Sequence, residues 1–206
     1  SLFNNVWAAI LAFFTAALSG LTLRNTVLVR AMGTSRLISL MDHTVNSFIF
    51  GVLLIISMEL STLIDYFLFN YLVQPLGYDL YLRPLCIVVS MSLSFLLVLF
   101  LSAKIAPSRH VKEVVEVLPS AAFNCTILGT IVLTLTTRLN LIRSLGFGLG
   151  SSVGFIAAVL LSTEAQRKLQ NRDVPGAFKG MPATLLFLGA LALAVYALSG
   201  YTPTGI

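Results

Sequence analysis

The chain has 206 residues, 57% of them hydrophobic and 10% charged, with a mean hydropathy of +0.94 and a net charge of +5. A soluble domain carries about a quarter charged residues, so this composition excludes one and indicates an integral membrane protein. The Lys and Arg excess falls between apolar stretches, where it reads as topology rather than as nucleic-acid binding.

A helix that crosses the hydrocarbon layer needs roughly 20 consecutive apolar residues. The first such stretch is 6–23; with no basic run before it and further spans after it, it reads as a span and not a signal peptide. The second, 44–71, is interrupted by Glu59 and Asp65 alone. Stretches at 84–103, 118–137, 144–163 and 180–201 bring the expected number to six. All are continuous, without the two-residue alternation of a membrane barrel. The expected fold is therefore an all-α bundle of six transmembrane helices.

The connectors set an orientation, because Lys and Arg mark the cytoplasmic side. The first, third and fifth connectors hold eight: Arg36; Lys104, Arg109 and Lys112; Arg167, Lys168, Arg172 and Lys179. The second and fourth hold three, Arg83, Arg138 and Arg143. The odd connectors are thus expected in the cytoplasm and both termini in the periplasm, with Arg24 and Arg30 counted as intramembrane. In the third connector Val111, Val114, Val115 and Leu118 fall at i, i+3, i+4 and i+7, opposite Arg109, Lys112, Glu113 and Glu116. That spacing predicts an amphipathic helix over 108–118, lying at the membrane interface. In the fifth, Asp173-Val174-Pro175-Gly176 reads as a turn.

Two places interrupt this apolar pattern with polar or permissive residues: Asn25 with Gly33, and Asn124 with Gly129. Each pair lies at or just after the first span of a three-span half. Backbone that leaves the helical ladder inside a membrane must be shielded or must line a cavity, and inverted-repeat proteins place functional sites at such paired breaks. The expected arrangement is two inverted three-helix repeats, 1–104 and 119–206, each with a broken helix. The alternative is ordinary packing, since glycine is common in membrane helices and Asn can bond across a helix interface.

These residues also carry a family resemblance. "RNTVLVRAMG" (24–33) looks like Asn-Asn-Phe-Val-Leu-Val-Gln-Phe-Leu-Gly of the small six-helix membrane subunits of the Rnf and Nqr respiratory complexes, the RnfA/NqrE type. "YLVQPLGYDLYLRPL" (71–85) resembles that family's Arg-Pro-Leu-Gly followed by Tyr-Leu-Arg. "FNCTILG" (123–129) resembles Thr-Asn-Cys-Ala-Val-Leu-Gly, and "DVPGAFKG" (173–180) resembles Asp-Val-Pro-Ala-Pro-Phe-Lys-Gly. The four motifs occur in the family's order and cover nearly the whole chain.

The resemblance implies a subunit of a redox-driven Na+ or H+ pump in a bacterial or archaeal cytoplasmic membrane. It implies a homologous partner of opposite topology, further flavin and iron–sulfur subunits, and a [2Fe–2S] cluster shared by the pair, with one Cys from each half-helix. Carried over, Cys125 matches the second family Cys, whereas Ser35 stands where the first belongs. A hydroxyl is far less acidic than a thiol and a poorer iron ligand. Arg24, Arg30 and Arg36 also depart from the family pattern, so the first half diverges more. Two outcomes stay open: three cysteines plus Ser35 hold the cluster, or the half-helices persist without it. Cys86 lies outside the family positions and reads as a small buried hydrophobe.

Glu59, near the middle of the second span, is expected to pair with Arg30 or Arg24, either as an ion relay or as a packing contact. Asp65, nearer the span's end, is expected to reach water and needs no special role. His43 and His110 have no ligand spacing around them, and no nicotinamide or flavin motif is present. Rival readings are a solute transporter without redox chemistry and a scaffold that anchors partner subunits.

Overall fold

The structure is a computed structural model and describes residues 2–22, 25, 28, 44–77, 79–105, 108–169 and 180–198. Among the described residues every regular element is helical. In chain order these are α1 (Leu2–Leu21), α2 (Thr44–Leu68), α3 (Asp79–Ile105), α4 (Ser108–Ala122), α5 (Cys125–Thr136), α6 (Leu141–Leu169) and α7 (Met181–Leu198). A π-helical turn, Phe69–Val73, and a 3₁₀ turn, Gln74–Leu76, prolong α2. Gly77, at φ 72°, then ends the run in a conformation open to a residue without Cβ.

Among the described residues three helices are long and apolar enough to cross a membrane: Phe48–Val73, Tyr81–Lys104 and Leu141–Lys168. A fourth crossing results if Lys112–Ala122 and Cys125–Thr136, bent by 45°, count as one broken span. Val6–Leu21 and Pro182–Ala197 are apolar but shorter.

Side-chain exposure shows which faces point out of the bundle. On α1, Trp7, Leu11, Phe14 and Leu18 are all more than half exposed, a single stripe at spacings of four, three and four. The other face of α1 lies against α6, whose glycines 146, 150 and 154 recur every fourth residue. A Cβ at Gly146 would strike the Phe13 carbonyl, and one at Gly150 the Ala17 carbonyl. Glycine is what lets the two backbones approach so closely, as small residues do in membrane interfaces generally.

α2 sits at the centre, packed against α3, α4 and α6. Its Phe50, Leu54 and Met58 join Phe155 and Ala158 of α6, Leu118 of α4 and Ile127 and Ile131 of α5 in one buried cluster. The rings of Phe50 and Phe155 stand 5.8 Å apart.

The third connector departs from expectation. Its helix does not stop at 118 but runs to Ala122, and Leu118, Ala121 and Ala122 are fully buried. Val114 and Val117 pack on the same core, whereas Val115, expected on the apolar face, is 44% exposed. The buried row is thus 114, 117, 118 and 121. Docking against α2 and α3 rotates the face by one position relative to the pattern read from the connector alone.

Candidate functional site

Helix α4 ends over Pro119, which lacks the amide that would bond the Val115 carbonyl one turn back. A few residues later the chain turns, and α5 starts with Asn124 as its N-cap in extended backbone geometry (φ −95°, ψ 137°). The Asn124 Oδ1 accepts from the Thr126 amide (3.1 Å) and from the Thr126 hydroxyl (3.2 Å). An N-cap of this kind is worth about 1 kcal/mol. The interruption therefore falls at Phe123–Asn124, and Gly129, expected to share in it, is a buried residue within α5.

Asn25 performs a related task after α1. Its Nδ2 donates to the Leu21 carbonyl (3.0 Å) while its Oδ1 accepts from the Leu28 amide (3.1 Å). It is 1% exposed and Asn124 is 4% exposed. Both asparagines thus satisfy backbone groups next to a helix end, where lipid offers none. Gly33, Ser35, Arg24 and Arg30 lie outside the described residues, and with them the expected meeting of Ser35 with Cys125 and of Glu59 with an arginine.

Cys125 is the first residue of α5 and is exposed, between exposed Phe123 and exposed Leu128. Cys86, by contrast, is buried in α3 at 3% exposure, as expected of a small apolar side chain. Iron–sulfur clusters take thiolate ligands, and among the described residues no three His, Cys, Asp or Glu side chains converge on one point. The chain has two cysteines, so a cluster held by four thiolates must draw on another chain. The outward-facing Cys125 fits that requirement, and Cys86 does not.

Behind the break runs a set of buried polar side chains. On α2, Ser57, Ser61 and Asp65 recur at every fourth residue, each no more than 2% exposed, with Thr62 beside them. On α5, Thr126, Thr130 and Thr134 recur in the same way, and on α6 Ser144, Ser151 and Ser152 are buried. The Ser94 hydroxyl of α3 bonds the Ser57 carbonyl across the α2–α3 contact (3.1 Å). Among the described residues several side-chain atoms of α2 lack hydrogen-bond partners, including Ser57 Oγ, Glu59 Oε1, Ser61 Oγ, Thr62 Oγ1 and Asp65 Oδ1. Each such atom costs about 1–3 kcal/mol unless water or an ion meets it.

Two of these groups, Thr62 and Asp65, line a cavity of about 200 Å³ at one end of the bundle, with Asn70, Thr134, Asn140 and Ser144. Asp65, expected to reach water, is thus 2% exposed and lines a polar cavity. It is shut off from water because α3, α5 and α6 close around a position that lies near the end of its own helix. Deeper along α2, Glu59 faces Gly148 of α6, where a Cβ would come within 2.8 Å of Glu59 Oε1 and 3.5 Å of Thr62 Oγ1. Rows of hydroxyls at a helical period of four inside apolar spans were the sequence signal for this column.

Comparison with known proteins agrees with this architecture. The model of the family described as "Rnf-Nqr subunit, membrane protein" matches residues 13–202. The A subunit of the ion-translocating oxidoreductase complex of Vibrio cholerae is 22% identical over 196 residues, covering 95% of this chain and 91% of that protein. The A subunit of the Na(+)-translocating ferredoxin:NAD(+) oxidoreductase complex of Acetobacterium woodii is 26% identical over 183 residues, with 89% and 94% covered. In Azoarcus sp., the A subunit of an ion-translocating oxidoreductase complex is 26% identical over 178 residues, with 86% and 91% covered. With a family match across nearly its whole length and an all-helical, lipid-facing bundle, the chain belongs to the Rnf-Nqr subunit family of membrane proteins.

Proposed function

We propose that this chain is the A-type membrane subunit of a redox-driven Na+ or H+ pump in a bacterial cytoplasmic membrane. In this reading it forms six crossings in two inverted halves and pairs with a homologous subunit of opposite topology. The observation that carries the proposal is the exposed thiol of Cys125 at a capped helix break within an otherwise intact family motif. The names borne by its relatives, subunits of ion-translocating oxidoreductases, support the same class of activity.

Cys125 is the residue that would contribute a thiolate to a [2Fe–2S] cluster shared with the partner, and Ser35 the weaker second position. Such a cluster supplies a one-electron relay inside the low-dielectric layer. The chain's own residues do the rest. Asn124 holds the start of α5 so that Cys125 faces outward, and the burial of Thr126 beside it keeps the break closed to lipid. Phe123 and Leu128 present an apolar surface around the thiol that a partner helix can cover.

The test is made on the purified complex, by iron content and low-temperature electron paramagnetic resonance. Cys125→Ala is expected to remove or reshape the [2Fe–2S] signal, and Ser35→Cys to raise iron retention. A signal identical in wild type and Cys125→Ala would exclude Cys125 as a ligand. Loss of assembly without loss of the signal would instead favour a scaffold, and solute uptake by the chain alone in liposomes would favour a transporter without a cluster.

A further inference from the structure

We propose that the cavity between α2, α5 and α6 is a binding site for a monovalent cation, Na+, with Asp65 as its charged floor. The inference rests on the pump reading and adds the place on this chain where the ion is held.

Hard cations bind oxygen, from carboxylates, carbonyls, hydroxyls and water. Here one carboxylate, Asp65, stands among the hydroxyls of Thr62, Thr134 and Ser144 and the amides of Asn70 and Asn140, around a volume of about 200 Å³. Two of the hydroxyls have their protons committed elsewhere: Thr134 donates to the Ile131 carbonyl (2.8 Å) and Ser144 to the Leu139 carbonyl (3.3 Å). Their oxygens keep lone pairs for a cation. Among the described residues Asp65 Oδ1 and Thr62 Oγ1 have no hydrogen-bond partner, though both residues are only 2% exposed. A proton alone would need only the carboxylate. Neutral oxygens lining the same cavity as the carboxylate are groups that a metal cation, unlike a proton, can use.

The charges around the site fit a cation that enters by exchange. Arg138 is exposed at the rim, while Asp65 lies at the buried floor, where a charge is felt more strongly. The Arg83 guanidinium lies over the ring of Phe69, which lines the cavity, at 5.6 Å, and among the described residues its Nε has no hydrogen-bond partner. Arg83 is therefore a positive charge beside the cavity that a bound cation must outcompete. Inward from the cavity, Thr62 and Glu59 both border the space left by Gly148, so Glu59, six residues or about 9 Å along α2, is the next oxygen on the path. The mouth lies between the second and fourth connectors, the end with fewer Lys and Arg.

The test is equilibrium binding of radioactive 22Na+ to the full-length chain in detergent, at constant ionic strength held with choline chloride. Wild type is expected to bind saturably, and Asp65→Asn to bind roughly tenfold or more weakly. Thr62→Val and Ser144→Ala are each expected to weaken binding by roughly threefold, and Arg83→Gln to tighten it. No saturable binding by wild type, or binding by Asp65→Asn within about twofold of wild type, overturns the proposal. Should Asp65→Asn fail to fold, unchanged binding in both hydroxyl variants overturns it equally. The iron signal reads Cys125 and the sodium titration reads Asp65, so the two proposals fail separately. Sodium binding that depends on Asp65, in a chain whose Cys125 is irrelevant to iron, keeps the site and removes the cluster role of Cys125. The reverse pattern does the opposite.

Discussion

At Asn124 a single amide side chain supplies what a helix start in hydrocarbon otherwise lacks, an acceptor for its first free donors. The residue is buried, so water cannot substitute. Asn124→Ala is expected to cost about 1–2 kcal/mol, read as a lower melting temperature of the chain in detergent, with Asn124→Ser recovering much of the loss because its hydroxyl can still accept. Equal melting of the alanine and wild-type chains would show that the cap contributes nothing. This residue was legible in the sequence, since an Asn in an apolar span needs a backbone partner. Asp65 was not. Its position near a helix end suggested water, and only the helices around it, none of them adjacent in sequence, exclude it.

Between elements, the tightest contact is that of α1 with α6, where a glycine row replaces side chains with bare backbone. Gly150→Leu is expected to expel α1 from this groove, with loss of monodisperse protein or rapid proteolysis of α1. A Cβ at Gly189 of α7 meets nothing within 4 Å, so Gly189→Leu is expected to leave the chain unchanged. Comparable behaviour of the two variants would refute the close approach of α1 and α6. The spacing of the glycines was visible as a repeat of four, but the helix that fills the groove was not. Period tells which face is small, not which neighbour uses it. The same limit explains Val115, whose place in a regular apolar pattern was overridden by the docking of α4 onto α2 and α3.

For the whole molecule, the bias of connector charge makes a prediction about sidedness. Lys112 and Arg138 are both exposed, one in a connector rich in cations and one in a connector poor in them. In a background with Cys86 and Cys125 replaced by Ser, Lys112→Cys and Arg138→Cys are expected to react with a membrane-impermeant thiol reagent from opposite sides, Lys112→Cys from the cytoplasm. Labelling of both from one side contradicts the topology. Opposed connectors would also place the mouth of the Asp65 cavity and the exposed flank of α4 on different faces of the bilayer.

Membrane residence, the helical class, the approximate places of the helices and the break at Asn124 were determined by sequence alone. They are local consequences of long apolar runs and of backbone groups that lipid cannot satisfy. The burial of Asp65, the cavity around it, the closeness of Glu59 to Gly148 and the burial of Gly129 within α5 were decided only by tertiary structure. Each depends on which helix lies opposite, and that is set by packing between faces far apart in the chain.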